Sequence, residues 1–202
     1  MIYRISRFLL EVFARTLFKV RFSGRENLPD APYIVVSNHA SLIDPPLVGA
    51  ACKKDNVNFM AKNELFTAPI IGIWTRSVGC IPVKRGANSV QSLKEAIKRI
   101  NRGNAVAIFP EGTRSEDGEI KEAKRGIGFL IARSKAQVVP IYIEGSLKAM
   151  AKGKPMNIGA PIDVFIGKTI MPEELIVKTP EGKNDYGAIA NVVMDRIMVL
   201  KK

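Results

Sequence analysis

The sequence has little histidine and cysteine: His39 is the only histidine, and Cys52 and Cys80 are the only cysteines among 202 residues. Metal sites built from these residues need several of them at short spacing, so this class of site is not indicated. A disulfide framework is not indicated either, and we expect two partly buried free thiols in a reducing compartment. The sequence also lacks the Gly-x-Ser-x-Gly motif and the Gly-x4-Gly-Lys-Ser/Thr motif, which argues against a nucleophile elbow and a phosphate-binding loop.

Long apolar runs are absent as well. A helix that crosses a bilayer needs about 20 largely apolar residues, and no segment reaches that length. The longest uncharged stretch near the centre is Leu65–Thr75, eleven residues that include Pro69, Gly72 and Trp74. It is typical of a buried loop or of a segment at a membrane interface. The first residues are interrupted by charges and lack a small-residue cleavage site, so we expect no cleaved signal.

Basic residues exceed acidic ones, 31 Lys and Arg against 19 Asp and Glu, for a formal net charge of +12. This excess favours an anionic partner: nucleic acid, an anionic lipid surface or a phosphorylated substrate. Aromatic residues make up only 7% and do not interleave with a basic run, which argues against a nucleic-acid-binding domain. Hydrophobic residues make up 47%, enough for the core of one domain.

Residues 2–20 have the pattern of an amphipathic helix. Apolar side chains recur at steps of three or four, at Ile2, Ile5, Phe8, Leu9, Val12, Phe13, Leu17 and Val20. The other face is mainly basic, with Arg4, Arg7, Arg15 and Lys19 and the single acid Glu11. Two structures fit this pattern: a helix lying in the plane of a membrane, or a helix docked on the protein's own core.

Apolar strands alternate with helices through the rest of the chain. The predicted strands are 20–22, 33–37, 57–61, 78–83, 105–109, 137–143 and 163–166, and the predicted helices are 41–51, 90–100, 127–133 and 185–200. The strand 105–109 has no polar residue and is predicted to be central. The alternation predicts a single α/β domain with a central, largely parallel or mixed sheet flanked by helices. We divide the chain into an amphipathic membrane-interface helix, 1–22, and a domain formed by 23–202.

Polar residues follow several of these strands directly. His39, Lys62, Arg85 and the segment Glu111–Arg114 each come after a predicted strand. Ligand sites in open α/β sheets lie beyond the carboxyl ends of the strands, so we expect these residues to converge. His39 also has a carboxylate, Asp44, five positions later, and such a pair is a simple general base near neutral pH.

Cations around a base need an anion, and a phosphate suits the planar guanidinium fork. The candidates for this phosphate contact are Lys62, Arg85, Arg114 and Lys124. No enzyme nucleophile is evident, so we expect His39 to take a proton from a substrate hydroxyl that attacks an acyl carbon. Alternatives remain open: the lysines are ordinary surface charges, or Glu111 pairs with Arg114. Ser41 or Asn38 is expected to cap the helix that follows.

Four blocks in this order carry a resemblance to a known family: Asn38-His39-x4-Asp44, Gly79-x-Ile81-x-Val83-x-Arg85, Phe109-Pro110-Glu111-Gly112-Thr113-Arg114-Ser115 and Val139-Pro140-Ile141. Together they resemble the glycerolipid acyltransferases, most closely the bacterial lysophosphatidate acyltransferases. The resemblance covers roughly residues 20–170. The blocks together are specific, whereas the His-x4-Asp block alone is not.

The resemblance implies roles for individual residues. His39 and Asp44 would form the catalytic dyad, while Arg85 and Arg114 would bind the acceptor's phosphate with help from Lys62. The turn Glu111-Gly112-Thr113 would shape the acceptor site. Val139, Pro140 and Ile141 would line the acyl-donor side.

The implied reaction is acyl transfer from acyl-CoA or acyl-carrier protein to the free hydroxyl of 1-acyl-glycerol 3-phosphate, giving phosphatidate in phospholipid biosynthesis. No bound cofactor and no metal are implied. The implied partners are lysophosphatidate, the thioester donor, an anionic membrane surface and acyl carrier protein, with no nucleic acid. The expected location is the cytoplasmic face of the cell membrane, with peripheral or monotopic attachment.

Other functions stay open. Glycerol 3-phosphate or another lysolipid would serve the same chemistry as acceptor. A basic nucleic-acid-binding domain and a catalytically silent membrane adaptor belong to different classes, and the intact dyad argues against the adaptor.

Overall fold

The alternating elements assemble into one seven-stranded sheet in a computed structural model that describes residues 2–83 and 89–202. The strands are β1 (Lys19–Ser23), β2 (Tyr33–Ser37), β3 (Val57–Lys62), β4 (Ile81–Val83), β5 (Ala105–Ile108), β6 (Gln137–Glu144) and β7 (Pro161–Ile166). The helices are α1 (Ile2–Leu17), α2 (Asp44–Ala51), α3 (Pro69–Ser77), α4 (Ser89–Asn101), α5 (Gly126–Ser134), α6 (Ser146–Ala149) and α7 (Tyr186–Met198). Short 3₁₀ helices span Arg25–Asn27, Asn63–Phe66 and Pro172–Glu174.

The sheet has the strand order β1-β7-β6-β2-β5-β3-β4. The five strands from β6 to β4 run parallel, whereas β7 runs antiparallel to β6 and parallel to β1. The predicted mixed α/β sheet is therefore confirmed, and β5 is central as expected, between β2 and β3. Parallel neighbours place the ends of β2, β5, β3 and β6 at one edge.

Strand periodicity divides the core into two layers. In β2, Tyr33 and Val35 pack on one side of the sheet with α1 and α2, while Ile34 and Val36 pack on the other with α4, α5 and α7. All five residues of β2 are buried. A strand covered by helices on both faces needs apolar side chains at successive positions, which explains the run Tyr33–Val36.

Several predicted boundaries differ from the structure. The helix predicted from Ser41 begins at Asp44, with Pro45 and Pro46 in its first turn, where their lack of an N–H costs nothing. The strand predicted from Val78 begins at Ile81. The N-terminal helix, predicted to extend to residue 22, ends at Leu17, and Lys19–Ser23 forms a strand that pairs with β7.

The segment Leu65–Thr75 is not a buried loop. It contributes to a 3₁₀ turn and to α3, and Leu65, Ile71, Ile73 and Trp74 are all exposed. The alternative interpretation, a segment at a membrane interface, stays a prediction.

Helix α1 turns its apolar stripe away from the domain. We call the exposed residues Ile5, Phe8, Leu9, Val12 and Phe13 the α1 stripe. Their spacing of three and four places them on one side of the helix. No helix within residues 2–83 and 89–202 combines the length and apolar character needed to cross a membrane.

The opposite side of α1 holds it on the domain. Ala14 and Phe18, directly after the helix end, are buried in the core, while Arg7 donates hydrogen bonds of 3.4 Å to the carbonyls of Cys52 and Asp55. Part of the predicted polar face therefore faces the protein.

An ion cluster around Glu11 adds to this attachment, through Arg15, Arg25 and Lys53. Burial opposes ionisation of Glu11, but these three cations outweigh it and hold the pKa of the carboxyl below its ordinary value.

Gly128 provides a test of the packing between α5 and α7. A Cβ at this position would lie 2.0 Å from the carbonyl oxygen of Tyr186, a backbone atom that cannot move aside. We expect Gly128→Ala to lower the free energy of unfolding by roughly 1–3 kcal/mol in a urea denaturation. Gly126→Ala is the matched control in the same helix, because its Cβ would meet only the Leu93 side chain, at 3.3 Å. Equal stability of the two variants would contradict this packing.

Candidate active site

The carboxylate of Asp44 and the ring of His39 are in direct contact. His39 lies two residues beyond the end of β2, and Asp44 is the first residue of α2. His39 Nδ1 is 2.9 Å from Asp44 Oδ2, which also accepts hydrogen bonds of 2.7 Å from the backbone N–H groups of Ala40 and Ser41. The Asp44 side chain is fully buried, whereas 17% of the His39 side chain is exposed.

This geometry makes His39 a competent general base. A carboxylate cannot donate, so it fixes the neutral imidazole as the tautomer with hydrogen on Nδ1. Nε2 then carries the lone pair that accepts a proton. The start of α2 further favours negative charge on Asp44, since unpaired N–H groups give a helix start a partial positive charge. The predicted pairing of His39 with Asp44 is present in the structure.

The turn after β5 clamps the backbone of His39. Glu111 is buried, and its Oε1 accepts a hydrogen bond of 2.8 Å from His39 N while Oε2 accepts one of 3.1 Å from Lys121 N. Ser115 N donates to the His39 carbonyl at 2.7 Å. Burial raises the pKa of Glu111, and the N–H groups of Lys121 and His39 partly oppose that rise. Glu111 thus binds backbone, and the alternative of an ion pair with Arg114 is wrong.

Two residues that the sequence analysis did not connect with the orientation of His39 also position it. The Phe109 ring stacks on the His39 ring, with centroids 4.1 Å apart and planes at 20°. Asn38 exchanges two hydrogen bonds with the backbone of Ile143, of 2.9 and 2.8 Å, which joins the ends of β2 and β6. Both residues lie within the quoted motifs, and that proximity was the only signal in the sequence.

The prediction that Ser41 or Asn38 caps the start of α2 is wrong. Ile43 occupies the N-cap position of α2 and makes no side-chain cap, and the Asn38 side chain is engaged with Ile143. Ser41 Oγ donates to the carbonyl of Met150 at 2.7 Å instead. The hydroxyl thereby anchors the segment between His39 and Asp44 to the end of α6.

Arg114 has an unsatisfied donor. The residue is half-buried, and its Nη1 is buried without a hydrogen-bond partner among the described residues. An unpaired buried donor is costly, and more so on a charged group. A phosphate oxygen would satisfy it, which supports the predicted role of Arg114.

The other predicted site residues lie in different surroundings. Lys124 is exposed, and its side chain packs over Gly112, which has a φ of +68°. A Cβ at position 112 would lie 2.9 Å from Lys124 Cε and Nζ, so the glycine leaves room for the lysine. Thr113 is exposed on the same turn. Lys62 is exposed at the end of β3, two strands away from β2. Arg85 lies outside the described residues.

Val139, Pro140 and Ile141 are all buried within β6. Val139 and Ile141 have no exposed surface and pack in the core layer beside α1 and α2. Their role in this structure is packing, and a contact with the acyl donor stays a prediction.

Within the part of the chain that the structure describes, no three His, Cys, Asp or Glu residues lie close enough together to hold a metal ion. The two cysteines are buried free thiols, and burial raises the pKa of Cys52 to about 12 and that of Cys80 to about 11. Thiols with such raised pKa values are poor nucleophiles.

Comparison with known proteins places this site in a family. The family model described as Acyltransferase matches residues 19–144. The chain is 31% identical to the 1-acyl-sn-glycerol-3-phosphate acyltransferase of Bacillus subtilis (strain 168), over 79% of this chain and 82% of that protein. It is also 31% identical to the chloroplastic 1-acyl-sn-glycerol-3-phosphate acyltransferase BAT2 of Brassica napus, over 94% of this chain and 56% of that protein.

A solved structure supports the same relationship. The 1-acyl-sn-glycerophosphate acyltransferase PlsC from Thermotoga maritima superposes with a TM-score of 0.77 at 27% identity, covering 96% of this chain and 79% of that one. The chain spans about half the length of the plant relatives it matches. Since the family model covers more than half of the sequence and includes both dyad residues and Arg114, the chain belongs to the acyltransferase family.

Proposed function

We propose that the protein transfers an acyl group from a thioester to the free hydroxyl of 1-acyl-glycerol 3-phosphate, giving phosphatidate. The observation that carries this proposal is the His39–Asp44 pair, with Nδ1 held at 2.9 Å from the carboxylate, so that Nε2 is the nitrogen left to act as base. The names of the bacterial and plant relatives support the same reaction. Acyl-CoA and acyl-carrier protein both fit as donor, and the chemistry needs no bound cofactor.

The reaction follows from the protonation state of His39. Nε2 takes the proton of the acceptor hydroxyl as its oxygen attacks the thioester carbonyl carbon. The resulting imidazolium is stabilised by Asp44 and returns the proton to the departing sulfur. One C–O bond forms, one C–S bond breaks, and the products are an ester and a free thiol.

Acceptor recognition falls to the cations of the site. Arg114, with a buried unsatisfied Nη1, would donate to a phosphate oxygen of the acceptor. Arg85, Lys62 and Lys124 are proposed to assist. Glu111 and Ser115 bind the backbone of His39 and so fix the position of the turn that carries Arg114. The distance between the proposed base and the proposed phosphate site is thereby kept constant.

Membrane attachment would bring the enzyme to its acceptor. The α1 stripe and the exposed side chains of α3 are joined where Trp74 Nε1 donates to Ser6 Oγ at 3.1 Å. Moving a long acyl chain into water costs about 0.8 kcal/mol for each methylene, so an enzyme on the surface avoids a large penalty. We propose peripheral attachment to the cytoplasmic face of the cell membrane, with α1 in the membrane plane.

The acceptor itself is tested with a panel. Purified protein is given a labelled acyl-CoA or acyl-carrier protein with lysophosphatidate, glycerol 3-phosphate or lysophosphatidylcholine, and lipid products are separated. We expect phosphatidate to be the dominant product. Preferred acylation of either other acceptor would replace the proposed substrate while keeping the acyltransferase.

Replacing the dyad should abolish transfer. His39→Ala removes the proton acceptor, and we expect kcat to fall by about 10²–10⁴-fold with the fold retained. Asp44→Asn should also be severe, because the ring loses its orienting anion. The measurement is thioester turnover with lysophosphatidate, alongside circular dichroism. A folded His39→Ala variant with the parent's rate would exclude His39 as the base.

Arg114→Ala should act on acceptor binding. Losing a charge-assisted hydrogen bond costs roughly 1.5–3 kcal/mol, so we expect the KM for lysophosphatidate to rise about tenfold to a hundredfold while the donor's KM changes little. Arg114→Lys should restore binding only in part, because the planar fork is lost. The exposed Arg133, changed to Ala, is the matched control. If the acceptor's KM stays unchanged, Arg114 is structural.

Changing the α1 stripe should separate membrane binding from chemistry. Phe8, Leu9 and Phe13 are 65%, 59% and 46% exposed, so replacing all three by Ser should leave stability unchanged. We expect weaker vesicle co-sedimentation and lower activity on membrane-embedded acceptor, with activity on a short-chain soluble acceptor retained.

The matched control for this test removes three exposed apolar side chains elsewhere, Met171, Met198 and Val199, each changed to Ser. If the α1 variant binds vesicles like its parent and loses stability, α1 belongs to the core and not to a membrane interface.

A further inference from the structure

A polar cavity of about 560 Å³ lies at the end of the sheet opposite His39. Its walls come from the start of α1, from the segment between α2 and β3, and from the turn before β5. Because β2, β3 and β5 are parallel, residues that precede these strands lie at the far edge from residues that follow them. The cavity is therefore separate from the candidate active site.

The cavity is rich in positive charge. Arg4, Arg7, Lys53 and Lys54 line it against a single acid, Asp55. Asp55 accepts a hydrogen bond of 2.9 Å from the hydroxyl of Tyr33, which satisfies part of its carboxylate within the protein.

The cations differ in how they are held. The backbone carbonyls of Cys52 and Asp55 hold the Arg7 guanidinium, which pairs with no carboxylate among the residues that the structure describes. Lys53 Nζ forms an ion pair with Glu11 Oε1 at 3.3 Å. The Lys54 side chain is 76% exposed, and its Nζ lies as far as 4.0 Å from Asp30 Oδ1, so this pair is weak. Arg4 is exposed. Most of the positive charge at the cavity is thus weakly neutralised, which is a reason for an anion to bind.

The position beside the α1 stripe indicates which anion. Arg4 lies one helical turn before Phe8, an exposed residue of the α1 stripe, whereas Arg7 lies on the side of α1 that faces the domain. If the stripe enters the apolar layer of a membrane, as in the proposed attachment, Arg4 lies near the depth of the lipid phosphates, with Arg7 and the lysines of the cavity on its domain side. Guanidinium groups bind phosphate through paired hydrogen bonds.

We propose that this cavity binds a phosphate group, presented by an anionic phospholipid headgroup or free in solution, at a second site distinct from the acyl-transfer centre. The lipid as source rests on the proposed membrane attachment, whereas phosphate binding itself does not. An occupied site would hold α1 in one orientation on the lipid surface.

The test uses the full chain labelled with ¹⁵N. Inorganic phosphate, at constant ionic strength, and dihexanoyl phosphatidylglycerol below its micelle concentration are titrated separately. Amide signals of Gly103 and Asn104 report on the cavity, and that of Gly112 reports on the active-site turn. The variant is R4Q/K54Q, and K168Q/K183Q is the control, which removes the same charge at two other exposed lysines.

We expect saturable shifts at Gly103 and Asn104 in the parent and the control, with the apparent Kd raised at least tenfold in R4Q/K54Q. The Gly112 response should be the same in all three proteins. At least tenfold tighter binding of the lipid than of inorganic phosphate identifies the headgroup as the source, and equal binding identifies free phosphate.

The proposal is overturned if neither probe gives a saturable shift at Gly103 and Asn104, or if R4Q/K54Q and K168Q/K183Q bind alike. Acyl transfer to a short-chain soluble acceptor, measured on the same proteins, should be equal throughout. Absence of transfer in the parent would contradict the proposed function and leave the phosphate-binding result unaffected.

Discussion

The buried carboxylate of Asp44 is the contact on which the candidate site depends. One oxygen accepts from the backbone of Ala40 and of Ser41 and lies 2.9 Å from His39 Nδ1, so the loop after β2 closes around it. Only six residues, 38–43, connect the end of this central strand to α2. The same closure that orders the loop also leaves Nε2 as the ring nitrogen that would act as base in the proposed reaction.

Around this contact, two further segments converge on His39. The turn after β5 binds its backbone through Glu111 and Ser115 and covers its ring with Phe109, while Asn38 joins β2 to β6. These segments come together only because β5 and β6 are the parallel neighbours of β2. The strand order therefore explains why motifs far apart in sequence form one site.

Local patterns were sufficient for much of this arrangement. Uninterrupted apolar runs predicted β2 and β5, and the positions after parallel strands predicted that His39 and Glu111 lie together. Partners that lie far away in the sequence were not predictable: the strand predicted at 20–22 forms part of β1, but no local pattern indicated that it pairs with β7. Ser41 has the type of an N-cap, but the carbonyl of Met150 accepts its hydrogen bond. The exposed side of α1 likewise depends on where Arg7 and Glu11 find their partners.

The central claim is that Asp44 holds His39 as the tautomer with hydrogen on Nδ1, leaving Nε2 as the base. His39 is the only histidine, so protein labelled with ¹⁵N in histidine gives a single pair of ring-nitrogen signals. For the neutral ring, the account predicts a protonated-type signal for Nδ1 and an unprotonated-type signal for Nε2, with this preference lost in Asp44→Asn. A proton on Nε2, or an even mixture of tautomers in the parent, would contradict it.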